Sequence, residues 1–237
     1  MSLFHAWFVT GTDTGIGKTF AVCTLIHAAK MQGFTALGMK PVAAGAENIN
    51  GKWINEDTAH LLAAGSVKLE PEQINPYCLR APVSPHLAAQ DDNIHISPAH
   101  IRLAFNRLAG QCERLFIEGA GGFLAPLGKN IDAAHIARDL DLPLILVVGM
   151  RLGCINHALL TAEAIAARKL RLAGWIANCL PPVMPRLDDN IEFLRQHIDA
   201  SHLGTLPYSP DAVPEKLAKL IDLPLSEPLR KFVRRPS

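Results

Sequence analysis

Apolar residues follow two alternating patterns along the chain, and together these patterns predict strands alternating with helices. Short runs rich in Val, Ile, Leu and Phe recur between segments in which apolar residues return every three or four positions. The short runs are typical of buried strands, and the periodic segments are typical of amphipathic helices. Strands are predicted at residues 6–10, 35–42, 115–118, 144–148, 172–178 and 202–206.

Helices are predicted in the segments between these strands. Ser97 and Pro98 supply a cap and a first-turn proline for one helix, and Gly33 and Gly65 lie where two others end. The predicted helices span residues 18–32, 56–64, 99–110, 131–140, 155–168 and 187–197. This alternation favours an α/β fold in which a predominantly parallel sheet is flanked by helices in three layers.

Length and composition fit a single compact unit. The chain has 237 residues, of which 49% are hydrophobic and 19% charged, a balance that argues against extensive disorder. Because the sequence shows no internal repeat and no low-complexity linker, residues 1–237 are predicted to form one domain. From about residue 210 onwards prolines recur and the chain ends in basic residues, which predicts a loosely packed C-terminal tail.

Charge and cysteine content narrow the functional class. Lys and Arg total 23 and Asp and Glu total 22, so the net charge is +1. This balance argues against a general nucleic-acid or membrane-surface binder, although a small anion needs only a local site. The apolar run at 142–150 is shorter than the ~20 residues of a membrane span. Five cysteines without a C-x-x-C pair, and no secretion-signal pattern, predict a cytoplasmic protein.

The strongest chemical signal is a glycine-rich loop between the first predicted strand and the first predicted helix. It reads Gly11-Thr-Asp-Thr-Gly-Ile-Gly-Lys-Thr19, with its first glycine one residue earlier than a strict Walker A motif requires. Backbone N–H groups of such a loop bind phosphate oxygens, Lys18 would reach the β- and γ-phosphates, and Thr19 would bind Mg²⁺. The competing interpretation, a glycine-rich turn without a ligand, is disfavoured by the strand–loop–helix context. The sequence therefore predicts a nucleotide site in a P-loop NTPase-type fold.

A P-loop switch ATPase of the ParA/MinD type is one alternative. Such proteins carry an additional lysine early in the loop, which reaches across a dimer. Asp13 stands at that position here, and together with the near-neutral charge it disfavours this alternative.

Two acidic residues are candidate metal ligands. Glu118 ends an apolar strand and precedes Gly119-Ala-Gly-Gly122, where the acidic residue of a Walker B motif is expected, and Asp57 lies in the first turn of a predicted helix. Magnesium prefers such hard oxygen ligands beside the loop hydroxyl. For Asp57 a second interpretation stays open, because a carboxylate in a first turn also stabilises the helix dipole.

A second lysine follows the second predicted strand. Lys40 begins the segment Lys40-Pro-Val-Ala-Ala-Gly45, at the same edge of the sheet as the glycine-rich loop. Ligands of open α/β sheets bind outside the carboxyl ends of the strands. We therefore expect Lys40 to place positive charge on a transferring phosphoryl group or an anionic substrate.

Five motifs occur together and in order: the glycine-rich loop, Lys40-Pro-Val-Ala, Ala81-Pro-x-Ser-Pro-His86, Glu118-Gly-Ala-Gly-Gly122 and Leu152-Gly-Cys-Ile-Asn-His157. With the base-pocket segment at 207–209 the similarity extends over residues 11–209. In this set the chain resembles the dethiobiotin synthetase family. The resemblance implies ATP-dependent carboxylation and ring closure of 7,8-diaminopelargonic acid with CO₂ or bicarbonate, through a carbamate and its mixed anhydride with phosphate. It also implies Mg²⁺ as cofactor and a homodimer in which the substrate tail binds across the interface.

The resemblance also assigns residues to roles. It implies catalytic roles for Lys18, Lys40 and Thr14, and a metal site at Thr19, Asp57 and Glu118. For the nucleotide it implies Asp13, Gly15, Ile16, Gly17, Lys18, Thr19, Phe20, Glu118, Gly119, Ala120, Gly121, Asn178, Pro207, Tyr208 and Ser209. For the substrate it implies Lys40 and Ala44, with Gly153, Cys154, Ile155 and Asn156 supplied by the partner subunit.

The chain departs from the family pattern at three positions. Ala44 stands where a serine is common, Gly15 where some members carry Glu, and Cys179 where an Asp commonly follows Asn. Ala44 and Cys179 leave open a further alternative, another ATP-dependent ligase of the same fold that acts on a different carboxylate or amine.

Overall fold

A computed structural model describes residues 3–224. Within them twelve strands form, and we number them β1–β12 in chain order. They are His5–Gly11, Ala36–Met39, Val42–Ala44, Glu47–Ile49, Lys52–Ile54, Tyr77–Leu79, Arg114–Glu118, Pro126–Gly128, Ile131–Asp132, Leu144–Met150, Leu172–Cys179 and His202–Leu206.

Nine α-helices, α1–α9, accompany these strands in the described part of the chain. They are Lys18–Met31, Glu56–Ala64, Pro71–Ile74, Pro85–Asp91, Pro98–Ala109, Ala133–Leu140, Cys154–Ala167, Leu187–His197 and Pro214–Leu217. A 3₁₀ turn at Ala218–Leu220 follows the last of them. None of the helices within 3–224 has the length and hydrophobicity that a membrane span needs.

Six strands form one parallel sheet in the order β12-β11-β10-β1-β7-β2. All seven residues of β10 are buried, as expected of a central strand covered on both faces. Side chains of β10 enter two different apolar clusters: Ile145 and Val147 join one, and Leu146 and Val148 join the other. The sheet is therefore covered on both sides, which confirms the predicted α/β fold.

Several predicted boundaries differ from the structure by one to three residues, and two of them differ for a clear local reason. The strand expected at 35–42 is divided, because Pro41 has no N–H to donate and the Lys40 N–H donates to the Ile74 carbonyl (2.9 Å) rather than continuing the sheet. The helix expected from residue 131 begins at Ala133, since Asp132 caps it by accepting from the His135 N–H (2.9 Å).

Residues 42–91 hold several short elements that the sequence pattern did not predict. They include the strand pairs β3–β6 and β4–β5 and the helices α3 and α4. Elements of three to seven residues are too short to show a periodicity, which explains why they were missed.

The segment expected to pack loosely from residue 210 contains packed residues. Helix α9 and the 3₁₀ turn contact α1, and Ala218 and Ile221 are buried. Gly204 and Ile221 also form an isolated bridge. The remaining part of the expected tail, residues 225–237, lies outside the described residues.

Candidate active site

The strand order brings the predicted site residues to one edge of the sheet. β1 lies beside β7, and β7 lies beside β2. The glycine-rich loop follows β1, Glu118 ends β7, and Lys40 follows β2. Because these strands are parallel, all three features meet at the carboxyl edge.

The loop at residues 11–19, which we call the phosphate loop, has the backbone conformation of an anion-binding turn. Gly15 and Gly17 have φ values of 70° and 79°, in the left-handed region that favours glycine. Gly17 caps α1 without a side-chain bond, and the first turn of α1 carries no acidic residue. The N–H groups at this helix end are therefore suited to phosphate oxygens.

Lys18 folds back over the loop. Its side chain is buried, and Nζ donates a hydrogen bond to the Asp13 carbonyl (2.9 Å). Burial, followed by repulsion from the Lys40 ammonium, lowers the pKa of Lys18 from 10.5 to about 8. A phosphate would supply the negative charge that this buried ammonium lacks.

Asp13 links the phosphate loop to the segment that precedes α7. Its Oδ1 accepts from the Thr14 N–H (2.7 Å), and its Oδ2 is paired with the Arg151 guanidinium. The Thr14 bond, assisted by Arg151, lowers the pKa of Asp13. The position that carries an additional lysine in switch ATPases therefore holds a carboxylate with its own counter-ion.

Four polar side chains form one network at the inner end of the loop: Thr19, Lys40, Asp57 and Glu118. Lys40 Nζ lies 2.7 Å from Asp57 Oδ2 and 2.5 Å from Glu118 Oε1. The Thr19 hydroxyl lies 2.8 Å from Asp57 Oδ1 and 2.8 Å from Glu118 Oε1, and it has one proton to donate between them. The Asp57 carboxylate thus does more than stabilise a helix end, because it contacts the side chains of Thr19 and Lys40.

Charge pairing governs this network. Burial alone would lower the pKa of Lys40, but the attraction of Glu118 and then of Asp57 outweighs it and the pKa is raised. Burial would raise the pKa of Asp57, but Lys40 and the hydrogen bond from Thr19 lower it. Lys40 and Asp57 are therefore both charged at neutral pH.

The donor set fits a magnesium ion. Glu118 Oε2 is buried and has no hydrogen-bond partner, so an oxygen of this carboxylate is left without a donor. No group of three or more His, Cys, Asp or Glu suited to a metal occurs within residues 3–224. Magnesium does not need one, because it is usually held by one or two carboxylates, waters and nucleotide phosphates.

A cavity of about 810 Å³ unites most of these groups. Its lining includes Thr14, Lys18, Lys40, Asp57 and Glu118, and Gly15, Gly17, Thr19, Phe20 and Gly121 also contribute. The cavity is also lined by residues that belong to none of the sequence motifs: Cys23, His27, Glu56, His60 and Glu215. These residues lie on α1, α2 and α9. The sequence did not predict that α9 packs against α1.

The residues expected at the nucleotide base lie beside this cavity and not in its lining. Asn178 is buried, and its Nδ2 donates to the Ile16 carbonyl of the phosphate loop (2.8 Å). Its amide therefore supports the loop directly. Pro207, Tyr208 and Ser209 are exposed after β12.

The remaining predicted positions have separate surroundings. The Ala44 carbonyl accepts from Asn55 Nδ2 (3.1 Å), which fixes the chain just before α2. Gly119 donates its N–H to the Val9 carbonyl (2.9 Å), and Ala120 is half-buried beside it.

The expected substrate-tail segment lies at the exposed start of α7. Gly153, with φ 94°, caps the helix, and Ile155 and Asn156 lie in its first turn. Cys154 is buried, and burial raises the pKa of its thiol, which fits a packing residue. This segment contributes nothing to the cavity of its own chain.

Comparison with solved structures supports the P-loop fold. The MinD cell division protein of Aquifex aeolicus matches 91% of this chain and 85% of its own, with a TM-score of 0.54 and 15% identity. A ParA family ATPase from Chlorobium tepidum TLS matches 92% and 90%, with a TM-score of 0.53 and 11% identity. At these identities the likeness concerns the fold alone.

Sequence comparison identifies the family. A family model described as an AAA domain matches residues 5–216. The ATP-dependent dethiobiotin synthetase BioD of Aromatoleum aromaticum is 57% identical over 93% of this chain and 98% of its own. The protein of the same name from Xanthomonas campestris pv. campestris (strain B100) is 49% identical over 93% and 99%. The chain belongs to the ATP-dependent dethiobiotin synthetase family.

Proposed function

We propose that this protein is an ATP-dependent dethiobiotin synthetase, which converts 7,8-diaminopelargonic acid and CO₂ into dethiobiotin. The observation that carries the proposal is the single cavity in which the phosphate loop, Lys40 and the two carboxylates meet. In the proposed reaction one amine adds to CO₂ and loses a proton, giving a carbamate. A carbamate oxygen accepts the γ-phosphoryl group of ATP, and the second amine then attacks the carbonyl carbon and expels phosphate.

Positioning and charge neutralisation account for the roles of the residues. Lys18 and the N–H groups at the start of α1 would hold the nucleotide phosphates, and Lys40 would neutralise the carbamate and the transferring phosphoryl group. Thr14 and Gly121 both line the cavity, and Thr14 would border the reacting groups. No covalent protein nucleophile is needed, because holding the reactants together supplies much of the rate.

The metal proposal concerns Thr19, Asp57 and Glu118. Their oxygens form one hydrogen-bonded set, and Glu118 Oε2 is left without a partner. Mg²⁺ would supply Lewis-acid neutralisation of the β- and γ-phosphate oxygens.

For the nucleotide base we propose the region of Asn178 and Pro207–Ser209, beside the phosphate loop. The contact from Asn178 to the loop carbonyl supports this placement. Glu215 lines the same cavity and is a second candidate contact for the nucleoside.

We further propose a homodimer in which the start of α7 from one subunit binds the substrate carboxylate in the other. The helix end suits an anion, and Leu152 next to it is 96% exposed. The test mixes Lys40→Met and Asn156→Asp proteins, each inactive alone. Mixed dimers would contain one intact site, so about a quarter of wild-type activity is expected to return. No recovery in subunits shown to exchange would contradict the shared site.

A cytoplasmic location is proposed on two grounds. The five cysteines, all of which lie within the described residues, form no disulfide bond there, which suits a reducing compartment, and the reaction consumes ATP.

The activity is tested directly by incubating the purified protein with diaminopelargonic acid, bicarbonate and MgATP. We expect dethiobiotin and phosphate in equal amounts, and ATP consumption that depends on the diamine. Lys40→Met, which removes the ammonium but preserves the length of the side chain, is expected to abolish product formation. ATP hydrolysis that responds to a protein or DNA partner but not to the diamine would favour the switch ATPase. Turnover with a different amine or carboxylate would favour another ligase.

A further inference from the structure

The Lys40 ammonium lies between the two carboxylates proposed to hold magnesium. We propose that Lys40 is an internal counter-ion of the two candidate metal ligands: its ammonium neutralises Asp57 and Glu118, competes with a divalent cation for them, and would turn towards the substrate when such a cation is bound. The inference rests on the proposed function for the identity of the metal site, and it adds an order of events to it.

The first support is the geometry. Lys40 Nζ contacts Asp57 Oδ2 at 2.7 Å and Glu118 Oε1 at 2.5 Å, so one ammonium bridges two acidic groups. The side chains of Lys40 and Glu118 are 5% and 1% exposed, so water screens this pair little. Without the ammonium, the buried Glu118 carboxylate and the partly exposed Asp57 carboxylate, which contact the same threonine hydroxyl, would repel each other.

The second support is competition for the same atoms. The ammonium uses one oxygen of each carboxylate, and the Thr19 hydroxyl uses Asp57 Oδ1 and Glu118 Oε1. Three of the four oxygens of these carboxylates are therefore engaged, and only Glu118 Oε2 has no partner. A divalent cation bound by the two carboxylates would lie close to the ammonium, and two like charges repel most strongly where the dielectric constant is low. Metal and lysine therefore cannot both keep their best contacts.

Lys18 provides the internal comparison. It is buried in the same cavity, yet its Nζ donates to the Asp13 carbonyl and forms no ion pair with either carboxylate. If the overall positive charge of the cavity weakened metal binding, removing either lysine would strengthen it. If the bridge between the carboxylates weakens metal binding, only removal of Lys40 would strengthen it.

The inference has a consequence for catalysis. Asp57 and Glu118 satisfy the charge of Lys40, so its ammonium attracts anions weakly. If these carboxylates held a divalent cation, the ammonium would be free to neutralise a carbamate or phosphoryl oxygen. The charge needed for the reaction would thus become available only when the carboxylates hold a metal.

The test measures metal binding without nucleotide, using Mn²⁺ as the probe and electron paramagnetic resonance of the free ion as the readout. We expect Lys40→Met to bind Mn²⁺ at least about tenfold more tightly than wild type, because the competing ammonium is gone. The matched variant Lys18→Met is expected to stay within about threefold of wild type. Equal or weaker binding by Lys40→Met, or equal gains in both methionine variants, would overturn the proposal.

A measurement on the wild-type chain covers the case in which Lys40→Met does not fold. The Cε resonance of Lys40, assigned by its loss in Lys40→Arg, is followed by NMR in protein bound to ADP and to MgADP. The proposal expects the resonance to move when Mg²⁺ is added to the ADP complex, and an unchanged resonance would overturn it. Neither experiment measures dethiobiotin formation. A protein that forms dethiobiotin normally, but in which Lys40 does not compete with the metal, would therefore reject this inference and leave the proposed function standing.

Discussion

The substitution Lys18→Met separates the requirements of catalysis from those of stability. Lys18 is 6% exposed, its ammonium is held by one carbonyl, and the second lysine of the cavity repels it. Methionine fills a similar volume with apolar atoms and carries no charge. We therefore expect the variant to lose activity while the fold becomes more stable.

The size of the gain follows from the pKa of Lys18. Folding lowers this pKa from 10.5 to about 8, and each pKa unit corresponds to about 1.4 kcal/mol. Burying the charged form therefore costs about 3 kcal/mol. The hydrogen bond to the Asp13 carbonyl returns about 1 kcal/mol, and the variant loses it. The free energy of unfolding is expected to rise by about 2 kcal/mol at pH 7.

The pH dependence has a definite sign. Because the folded-state pKa is below the unfolded-state pKa, both states hold the proton below pH 8 and the whole cost is present. Between about pH 8 and 10.5 the unfolded state binds more protons, so wild-type stability rises with pH relative to the variant. The advantage of Lys18→Met should therefore shrink through this window and disappear near its upper end.

Urea unfolding at pH 7 and pH 9.5 measures both effects. The matched control is Lys30→Met on the same helix, because Lys30 also donates to a backbone carbonyl, that of Ala64 (3.0 Å), but is exposed. We expect that control to lose up to about 1 kcal/mol at pH 7, because it loses the hydrogen bond and removes no buried charge. A Lys18→Met protein that is no more stable than wild type at pH 7, or whose advantage persists at pH 9.5, would refute the reasoning.

Three other substitutions test the surroundings of the loop. Gly17→Ala combines a φ of 79° with a Cβ only 2.2 Å from Asn178 Nδ2. Calorimetry should therefore show loss of ADP binding, and thermal unfolding should show that the free energy of unfolding falls by about 2 kcal/mol or more. Normal ADP binding would contradict this. Glu118→Gln should weaken MgADP binding about tenfold and leave metal-free ADP binding unchanged, whereas equal losses would argue against a metal role. Arg151→Gln removes the counter-ion of Asp13, so the KM for ATP should rise severalfold. Because the Arg151–Asp13 pair is exposed, the free energy of unfolding should change by less than about 1 kcal/mol. An unchanged KM would contradict this.

The parallel sheet and its ligand-binding edge could be anticipated from the sequence. Apolar runs ended at Thr10 and Glu118, and the chemistry-bearing residues followed those ends directly. Parallel strands bring such ends together, so the motifs predicted a shared site before any distance was known. The structure brings Lys18, Lys40 and Glu118 into one cavity.

The pairing within the site could not be anticipated in the same way. Sequence reasoning directed Lys40 to phosphate and substrate, whereas its ammonium lies on Asp57 and Glu118. Similarly, Asn178 was predicted only as a contact for the base, and the hydrogen bond from its amide to the Ile16 carbonyl was not foreseen. Side-chain contacts of this kind depend on rotamers and on distances between elements far apart in sequence, which no local pattern encodes.

The short elements between residues 42 and 91 were missed for another reason. The strands pair over three residues, and the missed helices α3 and α4 have four and seven, so hydrophobic periodicity has too few positions to appear. Elsewhere in the chain, proline and capping residues set element boundaries, as at Pro41 and Asp132.

The central claim is that the cavity transfers a phosphoryl group to a carbamate oxygen of the substrate. The most direct measurement supplies ¹⁸O-labelled bicarbonate with diaminopelargonic acid and MgATP, and analyses the products by mass spectrometry before the label exchanges with water. The account predicts one labelled oxygen in the released phosphate and another in the ureido carbonyl of dethiobiotin, because ring closure breaks the carbamate carbon–oxygen bond. Released phosphate without ¹⁸O would show that its fourth oxygen comes from water and that ATP is merely hydrolysed. This result would contradict the account.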